Sequence, residues 1–146
     1  MKKTRKMKMN LKEIVENLIE NFLEAGELAM QLREKGLIKK IKSDNTPVSN
    51  GDLEVNKLIS NKISEVTPNL PIISEETSEN KDIKNLKNFW LVDPIDGTHD
   101  YINNLEEFTI NAGLIIIVNL PQINKCSCKK RMFYSYEKVI HLNLVT

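Results

Sequence analysis

The chain has 146 residues, 21 Lys+Arg against 20 Asp+Glu, 40% hydrophobic and 28% charged residues, the balance of one ordinary globular domain and not of a disordered or collagen-like chain. At this length folding buries about 70% of the unfolded surface, enough for a core without disulfide or metal staples. The net charge of +1 offers no broad field for a nucleic-acid polymer or membrane, and the longest apolar run, Ala112 to Val118, falls far short of the roughly 20 residues of a transmembrane segment.

Residues 1–9 carry Lys2, Lys3, Arg5, Lys6 and Lys8, but Glu13, Glu16, Glu20 and Glu24 follow where a secretion signal needs an apolar stretch, so this start reads as a solvated basic tail. Leu11, Val15, Leu18, Phe22, Ala25, Ala29 and Leu32 then recur at three- and four-residue steps and predict an amphipathic helix over residues 10–35, ended by Gly36. Residues 37–42 read as a short strand and Lys42 to Val48 as a turn. Ser49 with Asp52 three positions on is a capping-box pattern that opens a second helix, with Leu53, Leu58, Ile59, Ile63 and Val66 on its buried side.

Pro68 stops that helix, and Leu70 to Ile73 predicts a short buried strand that delivers Ser74, Glu75 and Glu76 to its end. Phe89 to Val92 is an apolar run of strand length, expected to end at Pro94, and Phe108 to Val118 is the longest strand candidate. Helices followed by strands imply an α+β fold. Beyond Val118 no period of 2 or 3.6 is sustained, so the chain divides into the basic tail 1–9, a domain over 10–118 and an atypical tail over 119–146. Cys126 and Cys128 form a lone C-x-C without a partner pair or His spacing, which argues against zinc. The expected compartment is the cytoplasm, with peripheral attachment to the inner membrane of a bacterium as the variant.

The chemistry concentrates at two strand ends, one carrying Glu75 and Glu76 and the other Asp93 and Asp96. If the strands are neighbours, their oxygens converge, and carboxylates without His or Cys select Mg²⁺ or Mn²⁺ over Zn²⁺. Pro94 ends the ladder and turns the Ile95 carbonyl toward the ions, while Gly97 permits close backbone approach and the Gly97 and Thr98 amides can meet an anion. A backbone-held anion bridged by divalent ions is the arrangement for phosphoryl transfer to water. The bland alternative is that Asp-Pro and Asp-Gly are turn pairs and Glu75-Glu76 surface acids. The Asp-x-Asp-Gly-Thr motif of haloacid-dehalogenase-like phosphatases differs by one residue from the Asp-x-x-Asp-Gly-Thr found here.

Trp90 to Thr98 (WLVDPIDGT), Pro71 to Glu76 (PIISEE) and Lys42 to Asp52 (KSDNTPVSNGD) resemble, in order, three motifs of the inositol monophosphatase superfamily of Mg²⁺-dependent, Li⁺-inhibited phosphomonoesterases. Within it, Lys42 to Ser49, Gly97 to Tyr101 (GTHDY) and Glu107 to Asn111 (EFTIN) resemble most the 3'(2'),5'-bisphosphate nucleotidases, which convert 3'-phosphoadenosine 5'-phosphate to AMP in sulfate assimilation. The resemblance covers about residues 10–118. It implies amino-terminal helices packed on a mostly antiparallel sheet, the first half of the layered αβαβα sugar-phosphatase fold, without its second α/β half. It implies two or three Mg²⁺ ions and a small-molecule phosphate ester as substrate. Glu75, Asp93 and the Ile95 carbonyl would hold the first ion, Asp93 and Asp96 the second. Asp52 would accept a hydrogen bond from the Thr98 hydroxyl to orient the attacking water, and the Gly97 and Thr98 amides would hold the phosphate, with Glu75, Ile95 and Asp96 also lining the substrate site. Asp44 reads equally as part of the family's lithium-sensitivity motif and as a turn residue.

The chain departs from the family in lacking a W-D-x-A-x-G motif, in Asn50-Gly51 where Ala is favoured, and in His99 where Lys or Arg is favoured. It therefore reads as an amino-terminal portion with a shifted frame near Val118, an under-liganded second ion, negligible activity of its own, and an uncovered sheet edge and apolar face around Leu114 to Val118. The alternatives are an inositol monophosphatase or fructose-1,6-bisphosphatase of the same superfamily, or a non-catalytic remnant. Oligomeric state is not legible from the sequence.

Overall fold

The structure, a computed structural model, describes residues 10–77, 86, 88–105, 107–117 and 136–145, with only the backbone at 117 and 136–145. The basic tail 1–9, Val118, Cys126 and Cys128 lie outside the described residues. Helix α1 spans Leu11–Lys35 and buries Ile14, Leu18, Phe22, Ala25 and Ala29, one apolar stripe at helical spacing. Gly36 follows at φ 93°, in the left-handed region that glycine enters without a Cβ penalty.

Strands β1 (Lys39–Ile41) and β2 (Pro47–Ser49) pair antiparallel as a small hairpin. The expected turn from Lys42 to Val48 is shorter than read, because Pro47 and Val48 already belong to the returning strand. Asn45 takes a φ of 67° there, and Asp44 Oδ1 accepts from the Thr46 amide at 3.0 Å and hydroxyl at 2.6 Å, so Asp44 is bound up in the turn.

Helix α2 (Asn50–Val66) starts at the capping box of Ser49 and Asp52 and buries Val55, Ile59 and Ile63 beside α1. The main sheet runs in the order β3-β4-β5-β6, with β3 Ile72–Ser74, β4 Asn88–Asp96, β5 Thr109–Ile117 and β6 Tyr136–Val145. Only β3 and β4 are parallel. Between β4 and β5 lies the one-turn helix α3, Thr98–Ile102. The strand β4 does not end at Pro94 as expected. It continues to Asp96 because the register shifts between Asp93 and Asp96, so the missing proline N–H falls in the irregularity and not in the ladder.

Alternation along the strands divides the sheet into two faces. Trp90, Val92, Ile110, Ala112 and Leu114 face α1 and α2 in one core, while Ile73, Phe89 and Ile115 form a small cluster on the other face. Leu114 is fully buried, Ile116 packs against the helix-covered core and Ile115 is only 8% exposed. The expected open face therefore does not exist at Leu114 to Ile116, and β6 pairs along the whole of the β5 edge. The result is an α+β arrangement, helices on a mixed, mainly antiparallel sheet, matching a partial layered αβαβα sugar-phosphatase fold. Among the described residues no helix is long and apolar enough to cross a membrane.

Candidate active site

Parallel pairing of β3 with β4 sets Ser74 beside Val92, so the residues that follow, Glu75 just past the end of β3 and Asp93 still within β4 opposite Asn111, stand side by side. The Glu75 amide donates to the Val92 carbonyl at 3.1 Å and extends this register by one step. Lys42, on the β1–β2 turn, places its ammonium 3.3 Å from Glu75 Oε1 and 2.8 Å from Glu76 Oε1. The Glu76 side chain is almost fully buried, and that burial raises its pKa against the pull of Lys42. The pKa of Lys42 is raised as well: desolvation lowers it, but Glu76 and Glu75 together outweigh that.

Asp93 is the most strained charge. Burial first, then the neighbouring Glu75 and Asp96, push its pKa up to about 7. Its Oδ1 is buried without a hydrogen-bond partner. Among the described residues no three His, Cys, Asp or Glu groups close around an ion position. The donor chemistry nevertheless fits a hard divalent cation, since one would relieve the crowding of a buried carboxylate by its neighbours, which without it raises the Asp93 pKa and favours a shared proton with Glu75. Asp96 is exposed, and its Oδ2 accepts from Asn111 Nδ2 at 3.4 Å.

The second feature joins α2 to α3. Asp52, 1% exposed, uses both oxygens. Oδ2 accepts from the Ser49 amide at 2.7 Å and hydroxyl at 2.6 Å, and Oδ1 accepts from Thr98 Oγ1 at 2.9 Å. The Ile95 carbonyl also lies 3.0 Å from Thr98 Oγ1. With a single hydroxyl proton to give, Thr98 favours the charged acceptor. Gly97 is the N-cap of α3 at φ 93°, and a Cβ there would stand 3.1 Å from the Glu107 carbonyl. Both the backbone conformation and the close approach require glycine.

The structure thus brings Glu75, Asp93 and Asp96 to one sheet end, and Asp52, Ile95, Gly97 and Thr98 to the adjoining turn. In the sequence Lys42 stands only as the first residue of a motif, with no role of its own. Its signal was a lysine opening an otherwise acidic and polar motif. Ser74, expected at the end of its strand, has no role legible in the sequence, and Asn56 has no signal there: Ser74 Oγ donates to Asn56 Oδ1 at 2.6 Å and accepts from the Glu76 amide at 3.3 Å, tying the acidic turn to α2. Only the neighbouring strand reveals that pair.

Helices layered on a mixed, mainly antiparallel sheet match part of the layered αβαβα sugar-phosphatase fold. The chain belongs to the inositol monophosphatase family, whose profile matches residues 10–124. It is 36% identical over 119 residues to the 3'(2'),5'-bisphosphate nucleotidase CysQ of Buchnera aphidicola, covering 74% of this chain and 45% of that protein. To the CysQ of Haemophilus influenzae it is 35% identical over 94 residues, covering 63% of this chain and 35% of that protein. The chain therefore spans less than half the length of these curated relatives. Among solved structures it resembles an IMPase of Thermotoga maritima, with a TM-score of 0.62 at 24% identity over 71% of this chain and 40% of that one. It also resembles an IMPase/NADP phosphatase solved with NADP and Ca²⁺, with a TM-score of 0.66 at 19% identity over 74% of this chain and 41% of that one. These two likenesses concern the fold.

Proposed function

We propose that this chain carries the first metal site and the water-orienting pair of a Mg²⁺-dependent phosphomonoesterase that removes the 3'(2')-phosphate of 3'-phosphoadenosine 5'-phosphate to give AMP. The observation that supports it is the Thr98–Asp52 hydrogen bond beside the unpartnered buried Asp93 Oδ1. The named relatives, both bisphosphate nucleotidases, favour this substrate over a sugar phosphate.

Glu75, Asp93, Asp96 and the Ile95 carbonyl are the groups that would hold divalent ions. Such ions supply Lewis-acid polarisation of the phosphoryl group and a lowered pKa of water. Thr98 takes the role of orienting the attacking water: with its proton given to Asp52, its oxygen is left as an acceptor for that water. The Gly97 and Thr98 amides would hold the phosphate oxygens. Water adds to phosphorus, the ester P–O bond breaks, and the leaving 3'-oxygen takes up a proton. In this reading residues 10–118 form the amino-terminal phosphatase domain, flanked by the 1–9 and 119–146 tails, and the enzyme works in the cytoplasm on a small phosphate ester.

The test is calorimetric titration with Mg²⁺, then with 3'-phosphoadenosine 5'-phosphate, inositol 1-phosphate and fructose 1,6-bisphosphate, with phosphate release followed alongside. Mg²⁺-dependent binding, tightest for the nucleotide and with low turnover by this chain, is expected. Tighter binding of either sugar phosphate, or no Mg²⁺-dependent binding at all, overturns the reading.

A further inference from the structure

We infer that Gly51 and Tyr101 form a lock that holds Thr98 against Asp52, with Gly51 retained for the space it leaves and not for its backbone freedom. Gly51 stands at the second position of α2, immediately before Asp52, in ordinary helical backbone. A glycine there costs stability relative to alanine, so its presence asks for a reason. A Cβ at Gly51 would collide with the Tyr101 hydroxyl and stand 2.6 Å from Cε1 and 2.8 Å from Cζ of the same ring. The ring occupies the volume an alanine methyl would need.

Tyr101 cannot simply step aside. It is fully buried, its hydroxyl passes α2 to donate to the Ala29 carbonyl of α1 at 2.7 Å, and the Phe108 ring meets it edge-on at 4.8 Å. The Arg33 guanidinium lies 5.8 Å from the Tyr101 ring centre and 5.4 Å from that of Phe108, and its Nη1 donates to the Leu105 carbonyl at 3.0 Å. Tyr101 is thereby held from α1 and from the loop leading into β5 at once.

Thr98 and Tyr101 are three apart on the single turn of α3, so they share a face. From that face Thr98 reaches Asp52 and Tyr101 packs on Gly51, two neighbouring points on the first turn of α2. Two adjacent contacts between the same two elements fix their register, and a methyl group at one of them levers open the other. Gly51 and Tyr101 are positioning residues: neither touches the reacting atoms, and they act through Thr98 and Asp52. Their consequence for water activation rests on the proposed function, whereas the lock itself does not.

The experiment reads the side-chain carboxyl ¹³C resonance of Asp52 in the full chain without metal or substrate, using Thr98→Ala to mark the position of the broken bond. Gly51→Ala is expected to move the resonance at least halfway to the Thr98→Ala position. In Gly51→Ala/Tyr101→Phe the ring loses its tether to Ala29 and retreats, returning the resonance toward that of Tyr101→Phe alone. An unmoved resonance in Gly51→Ala, or the same displacement in both backgrounds, overturns the lock. Should Gly51→Ala not fold, a folded double variant with its resonance near that of Tyr101→Phe supports the lock, and an unfolded one overturns it. Since no substrate is present, failure of the proposed activity leaves this result intact and separable.

Discussion

Thr98 Oγ1 donates to Asp52 Oδ1 at 2.9 Å across 46 positions of sequence, while the other oxygen of the same carboxylate closes the N-terminal capping box of α2. One buried acid thereby caps the start of a helix and orients a hydroxyl, and the hydroxyl is the part that can be removed alone. Thr98→Ala is expected to leave Mg²⁺ affinity within about 2-fold and, in a version extended with the remaining part of a CysQ relative so that turnover is measurable, to lower the rate of phosphate release about 100-fold, the scale of a lost proton-orienting group. Calorimetry beside a phosphate assay checks the pair of values. A large loss of Mg²⁺ affinity would show that Thr98 holds the ion and not the water.

The unpartnered Asp93 oxygen gives a stability prediction of opposite sign with and without metal. Burial and the charges of Glu75 and Asp96 oppose the Asp93 carboxylate. Asp93→Asn should therefore raise the melting temperature in chelator, and abolish the further rise that Mg²⁺ gives the unaltered chain. Thermal melts with chelator and in a Mg²⁺ series read both. Equal Mg²⁺ stabilisation of the two proteins would remove Asp93 from the ligand set.

Ser49 receives the Gly51 amide at 3.2 Å and the Asp52 amide at 3.4 Å, and its own hydroxyl donates to Asp52. Ser49→Ala should cost about 1 kcal/mol of stability through the lost cap. Urea unfolding measures this, and an unchanged midpoint would mean that the long N–H···O contacts contribute nothing.

Burial pushes the Tyr101 phenol up to about 12 from 10.0, helped by the nearby Asp52 charge and opposed by Arg33. The folded chain thus keeps Tyr101 neutral where the unfolded chain ionises it. The associated stability is fully present below pH 10, falls as pH rises from 10 to about 12, and has gone above that. Subtracting the stability of Tyr101→Phe from that of the unaltered chain across pH 8 to about 12 should isolate this alkaline slope. A pH-independent difference would mean that the phenol ionises as easily in the fold as out of it.

What the sequence determined by itself was local. The stripe from Leu11 to Leu32 specifies α1, Ser49 with Asp52 specifies the start of α2, and the apolar run at Phe89 specifies a strand, because each signal lies within a few residues of the structure it describes. The carboxylates at the strand ends were legible for the same reason. Whether they share one place depended on β3 lying parallel beside β4, which neither strand encodes alone. The continuation of β4 through Pro94 needed β5 to accept a shifted register, and Tyr136–Val145 became a strand by pairing with that same β5. The Lys42 ammonium found its acids 33 and 34 positions away, and the Tyr101 hydroxyl its carbonyl 72 positions away. Such contacts form between chemically ordinary residues, and only tertiary packing, which fixes what stands opposite each one, selects them.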